Sequence, residues 1–196
     1  MAKNVFISFR YRDGHTYKEI LEGLFNRSED TVDFSEDQDR SNMSEATIRN
    51  YVYSKLRRSS VTILIITPEA INHKKGYWGY DDWIYDELRY SLEDRENNRT
   101  NGLIAVYTPE AAAKICQKNQ NGNTTIYDFD NLARRNMMNV KPSYKINQEL
   151  GVYDRNYDSY CSLVSFDEFR RDFVRLIDIA EWKRDNKYRY DIVKRL

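Results

Sequence analysis

Chemistry in this chain narrows to one stretch, Gly76 to Leu88, which reads GYWGYDDWIYDEL. Wound as a helix, it brings Tyr80, Trp83, Ile84, Glu87 and Ser91 within roughly a third of a turn of one another. Ile84, Leu88 and Leu92 run alongside as the apolar stripe that would pack on a sheet. Glu87 thus stands at the border of the buried face, one turn after a tryptophan. A carboxylate held there can stabilise positive charge growing on a substrate carbon, or trap that carbon covalently. The plain alternative is a solvent-facing glutamate, with Trp83 as an anchor between helix and sheet.

Other chemistries are struck off by what the sequence lacks. No GxGxxG follows the first strand and there is no Walker loop, so the usual phosphate cradles are missing. Neither a GxSxG elbow nor a workable Cys–His arrangement is present. His15 and His73 fit surface or capping positions better than a catalytic pair. Cys116 and Cys161 form no CxxC and have few histidines to join them, which predicts two reduced thiols and no metal site. A response regulator would want acidic residues where this chain carries Arg10 to Arg12 and Thr67-Pro68.

The elements that must position Glu87 follow from hydrophobic periodicity. Strands are expected at Asn4–Phe9, Asp30–Phe34, Val61–Thr67, Gly102–Thr108 and Tyr160–Ser165. Asp13 and Gly14 read as a turn before a helix over His15–Phe25. Ser35–Met43 reads as a polar loop, and Ser44 as the cap of a helix whose inner face is Ile48, Tyr51, Val52 and Leu56. Further helices are expected over Tyr80–Glu96, Glu110–Gln117, Asn131–Met138 and Phe166–Lys183. The third and fourth strands are almost unbroken apolar runs, as strands covered on both faces are. Strands alternating with helices imply parallel pairing by right-handed crossovers. The expected fold is α/β: a doubly wound, flavodoxin-like parallel sheet of about five strands with helices on both faces. Ligands of such sheets bind beyond the carboxyl ends of the strands.

The 196 residues suit one domain, 1–196, with an elaborated insert over about 109–157 and a last strand and helix over 158–184. Lys plus Arg and Asp plus Glu number 31 each, a balance that argues against a general nucleic-acid binder. The chain enters its first strand without the features of a secretory signal, and Val61–Thr67 is too short to span a bilayer. A cytoplasmic protein with no membrane association is expected. The 16 tyrosines could line a planar ligand or an interface, or form a half-buried shell around a small core.

Two stretches resemble a known family. VFISFRYRDG is similar to the opening motif of TIR domains, an apolar strand ending in Ser-Phe or Ser-Tyr. VDFSEDQDRSNMSEATIRNYVYSKLRRSSVTILIITPEAINHKKGYWGYDDWIYDEL resembles the rest: an acidic loop, a helix, Ser-Ser before an apolar strand, then Trp-x-x-x-Glu. The resemblance covers about residues 4–107 and is strongest to stand-alone bacterial TIR-like proteins, such as the sensor subunits of the Thoeris anti-phage defence system. It implies NAD cleavage at the nicotinamide–ribose bond, with NAD as substrate and no cofactor. Release of a cyclic ADP-ribose-like nucleotide, read by a separate effector protein, goes with it. It maps the catalytic glutamate to Glu87 and substrate contacts to Phe9, Arg10, Tyr11, Phe34 and Asp37. Trp83 joins Tyr11 and Phe34 as a stacking candidate, and Arg10 or Arg12 would meet the diphosphate. A phage-derived trigger and homo-oligomerisation are further implications; nucleic acid and membrane are not.

Two departures stand out. The loop after the second strand lacks the Pro-Gly pair of receptor-type TIR domains, and Asp82 precedes the tryptophan where a small residue is usual. Two alternatives stay open, a catalytically silent TIR assembly or adaptor module and a nucleoside-transferring enzyme on a related fold.

Overall fold

The structure, a computed structural model, describes residues 3–28, 31–33, 45–71, 83–95, 98–118, 124–126, 131–147 and 153–196. The expected loop at 35–43, the cap at Ser44, His73 and Tyr80 lie outside them.

The chain opens with β1 (Lys3–Ser8) and α1 (Tyr11–Phe25), then β2 (Thr31–Asp33), α2 (Glu45–Leu56) and β3 (Val61–Ile66). Next come α3 (Trp83–Leu92), β4 (Gly102–Tyr107), α4 (Pro109–Ile115) and a small antiparallel pair, β5 (Cys116–Lys118) with β6 (Thr124–Ile126). The chain continues through α5 (Leu132–Arg135), a 3₁₀ turn (Pro142–Tyr144), β7 (Cys161–Ser165), α6 (Phe166–Asp185) and a last 3₁₀ turn (Lys187–Arg189). Five parallel strands form the main sheet in the order β2-β1-β3-β4-β7. This is the doubly wound, flavodoxin-like arrangement expected from the sequence.

Alternation along the strands divides the core. Leu64, Ile66, Leu103 and Ala105 pack with Ile84 and Leu88 of α3 and with Ala111 and Leu132 beyond them. Ile63, Ile65, Ile104 and Val106 pack on the opposite face with Leu21 and Phe25 of α1 and Phe169, Leu176 and Ile177 of α6. Both central strands are buried throughout, apart from the half-buried Tyr107 at the end of β4. Gly102 marks the tightest approach: a Cβ there would lie 2.3 Å from the carbonyl oxygen of Ala180 on α6.

Several boundaries differ from expectation for identifiable reasons. Asp13 and Gly14 belong to α1, which begins at Tyr11 directly after Arg10 as its N-cap residue. Gly14 serves close packing, since a Cβ there would come within 3.2 Å of Phe9 Cβ. Tyr51 is exposed, because α2 turns Val52 and Leu56 inward and lays Tyr53 flat on Tyr90, ring centres 3.7 Å apart. α3 ends at Leu92, four residues before the expected Glu96. α4 stops at Ile115, and the next three residues pair as β5. α5 is a single turn over Leu132–Arg135, capped by the Asn131 side chain, which accepts from Arg134 N–H. Among the described residues no helix is long and apolar enough to cross a membrane.

Candidate active site

The order β2-β1-β3 reverses direction between β1 and β3, and the connections from these strands leave on opposite faces. Such a switch point opens a crevice at the carboxyl ends of the two strands. Ser8 ends β1 there and Thr67 follows the last residue of β3. Each of the four long parallel strands finishes at or next to a hydroxyl residue: Ser8, Thr67, Thr108 and Ser165. Two of these cap the following helix, Thr108 accepting from Ala111 N–H and Ser165 from Glu168 N–H.

Ser8 does something else. Its Oγ, fully buried, donates a 2.6 Å hydrogen bond to Oε2 of Glu87, whose side chain is half-buried. Helical side chains lean toward their own N-terminus, and α3 starts near the sheet's carboxyl edge, so Glu87 leans toward that edge.

The clamp on α3 explains why it is Glu87 that reaches Ser8. Ile84, Leu88 and Leu92 seat one stripe in the core. The neighbouring Asp86, 3% exposed, is bound from the α2 side by Arg49 at 3.0 Å and Tyr53 Oη at 3.1 Å, and by Arg89 at 2.8 Å within its own helix. Burial raises the Tyr53 hydroxyl above its ordinary value, and the Asp86 charge adds to that. Burial is the largest single influence on the Arg89 guanidinium and works against it, but the hydrogen bond to Asp86, the Asp86 charge and the nearby Tyr53 and Tyr85 together hold it above its usual value. Successive helical residues point about 100° apart, so fixing Asp86 toward α2 fixes Glu87 toward β1.

A buried polar chain pins the backbone at the same point. Asn101 Nδ2 donates to Thr62 Oγ1 at 3.2 Å, Thr62 bonds Ser91 Oγ at 2.8 Å, and Ser91 donates to the Glu87 carbonyl at 2.8 Å. Glu87 is therefore held at both its side chain and its main chain.

The exit of β1 follows directly on Ser8. Phe9 packs against the core, and Tyr11, 71% exposed, begins α1. Tyr11 lies over His15 at 4.9 Å between ring centres and over Phe9 at 6.5 Å, which leaves much of its ring open. Arg10 takes the N-cap position with an extended backbone. Arg12 reaches Glu69 at 3.5 Å, and Glu69 N–H donates to Asp13 Oδ2 at 3.2 Å, which ties the first turn of α1 to the segment after β3. Farther along the rim, Tyr17 Oη donates to Glu110 at 2.7 and 2.8 Å. Burial and the Glu110 carboxylate push the Tyr17 hydroxyl up to about 12, while that hydrogen bond lowers Glu110.

Of the residues singled out in the sequence, Phe9, Arg10 and Tyr11 gather at the end of β1, and Glu87 meets the same strand end through Ser8. Trp83 opens α3, one turn before Glu87, and is half-buried. Phe34 and Asp37 lie outside the described residues. Ser8 was missed as a site residue. Its signal was in plain view: a hydroxyl at the last position of an otherwise apolar strand.

No curated protein matches the chain in sequence. A family described as Thoeris protein ThsB, TIR-like domain, matches residues 6–113, which run from the second half of β1 through most of α4 and include Ser8, Trp83 and Glu87. That span is more than half of the chain, which accordingly belongs to the TIR-like domain family of Thoeris protein ThsB.

Proposed function

We propose that this chain, a TIR-type protein of Thoeris defence, cleaves NAD at the nicotinamide–ribose bond. It releases nicotinamide and forms a cyclic ADP-ribose-like nucleotide that a separate effector protein reads. The observation that carries this reading is the Glu87 carboxylate, held by Ser8 at the carboxyl end of β1 beside the switch point.

Glycosidases usually pair two carboxylates because the leaving oxygen must be protonated. Nicotinamide in NAD is a cationic pyridinium. When its bond to C1′ breaks, the electron pair goes to the ring nitrogen and the base departs neutral. No general acid is needed, so one carboxylate suffices. Positive charge then grows on C1′ and the ring oxygen of the ribose. Glu87 faces that charge, and losing such a group costs on the order of 3 kcal/mol or more in the barrier.

An adenine ring nitrogen folded back onto C1′ closes the cyclic product; water in its place gives ADP-ribose. Tyr11 and Trp83 are the stacking surfaces in this scheme, with Phe9 behind Tyr11. Arg10 meets the diphosphate together with the positive end of α1.

The test is product analysis after incubation with NAD, alone and with extracts of phage-infected cells, for the wild type and Glu87→Gln. Nicotinamide and a cyclised nucleotide from the wild type alone support the proposal. Base exchange on free nucleosides would favour a nucleoside-transferring enzyme. Silence of the wild type under both conditions would favour an assembly module.

A further inference from the structure

The region after the family match carries a second surface with its own chemistry. Lys141 N–H donates to the Arg189 carbonyl at 2.9 Å, and Val140 pairs with Tyr190, so the two 3₁₀ turns at 142–144 and 187–189 are joined by backbone. Tyr144 and Tyr188 meet edge to face at 5.7 Å, both substantially exposed. The Arg189 guanidinium carbon lies 5.2 Å from the Tyr144 ring centre and 5.0 Å from that of Trp182, which is itself 36% exposed. Lys145 Nζ sits 4.1 Å over the ring of Tyr153, another exposed aromatic.

Two of the cations on this surface meet backbone carbonyls. Lys141 Nζ donates to the Tyr188 carbonyl and Arg189 to the Tyr144 carbonyl. Among the described residues, neither of these cations nor Lys145 has a carboxylate within ion-pair distance. Two carboxylates of the same region, Asp154 and Asp158, are turned to backbone amides. Asp158 accepts from Ile146 and Asp154 N–H, and Asp154 from Asn156 and Tyr157 N–H.

We propose that Tyr144, Trp182 and Tyr188, with Lys141, Lys145 and Arg189, form a docking surface for an acidic polypeptide segment. Exposed Trp and Tyr beside a half-buried Arg match the composition of interface hot spots, and three cations without a carboxylate partner among the described residues select a partner of negative charge. The joined turns present these groups already ordered, which lowers the cost of association. Single-stranded nucleic acid shares the charge but needs open ring faces for its bases. Here a cation already covers one face of Tyr144, Trp182 and Tyr153. The chain also has no net basic excess. This proposal does not depend on the NAD reading.

Fluorescence anisotropy of the full chain with three labelled probes tests it: a peptide rich in Glu, Leu and Phe, the same peptide with Lys for Glu, and an oligothymidylate. The acidic peptide is expected to bind alone among the three, more weakly as salt rises, with affinity falling about tenfold in Arg189→Glu. Lys145→Glu, which touches only the Tyr153 ring among these contacts, guards against a folding defect and is expected to weaken binding in the same direction. Equal or tighter binding of the oligothymidylate, absence of acidic-peptide binding at low salt, or binding that both variants leave intact would overturn the assignment.

Discussion

Ser8 and Glu87 stand 79 positions apart in the chain, yet Ser8 Oγ donates a 2.6 Å hydrogen bond to the Glu87 carboxylate. One residue ends the first strand of the sheet and the other sits in the second turn of the helix after the third strand. The bond therefore ties α3 to the end of β1 beside the switch point.

A hydrogen bond to a charged group contributes about 1.5–3 kcal/mol. Ser8→Ala is therefore expected to lower the turnover of NAD roughly tenfold to a hundredfold, with KM little changed and the melting temperature down by several degrees, so rates are compared at a temperature where both proteins are folded. Ser8→Cys keeps a weak donor of similar size and should recover part of the rate. Equal turnover in all three proteins would show that Ser8 does not position Glu87.

Gly102 and Gly23 give a paired test of packing. A Cβ at Gly102 would meet the Ala180 carbonyl at 2.3 Å, a backbone atom that can move only with α6. Gly102→Ala is expected to destabilise by roughly 1–3 kcal/mol. At Gly23, inside α1, a Cβ meets nothing within 4 Å, and Gly23→Ala is expected to stabilise by about 0.5–1 kcal/mol. Thermal melts of the two variants should move in opposite directions.

Lys183 gives the chain a pH-dependent stability. It is fully buried on α6, donating to the Ser159 carbonyl at 2.8 Å and to Ser162 Oγ at 2.6 Å, and burial lowers it to about 7. The unfolded chain keeps this lysine at its ordinary value of 10.5 and so binds the proton more tightly between those two values. Stability contributed by this group rises as pH climbs through that window, by about 1.4 kcal/mol per unit, and is flat below it. In Lys183→Met the slope disappears. The variant's stability relative to wild type should be greatest near neutral pH and shrink steadily toward pH 10.5, as read from urea melts at several pH values.

Much of this was legible from the residue pattern. The apolar runs at 61–66 and 102–107 could be little else than buried parallel strands, and the stripe Ile84, Leu88, Leu92 fixed which side of α3 faces the sheet. That stripe also put Glu87 at its border. What the pattern could not carry was the meeting of Glu87 with Ser8, because it depends on how far α3 slides along β1, which no local period encodes. The Asp86 clamp was hidden for the same reason: Arg49 and Tyr53 reach it from another helix. Gly14 misled because glycine beside aspartate reads as a turn, while here the missing side chain makes room for Phe9. The pair β5 and β6 was missed because strands of three residues are too short to show alternation.

The most direct measurement is nicotinamide release from NAD by purified wild type and Glu87→Gln at matched folded concentration, with and without extract of phage-infected cells. Glu87→Gln keeps the size of the side chain and removes its charge. The account predicts release by the wild type under at least one condition and a loss of a hundredfold or more, about 3 kcal/mol, in the variant. Equal release by both proteins would contradict a carboxylate at position 87 acting on the ribose carbon.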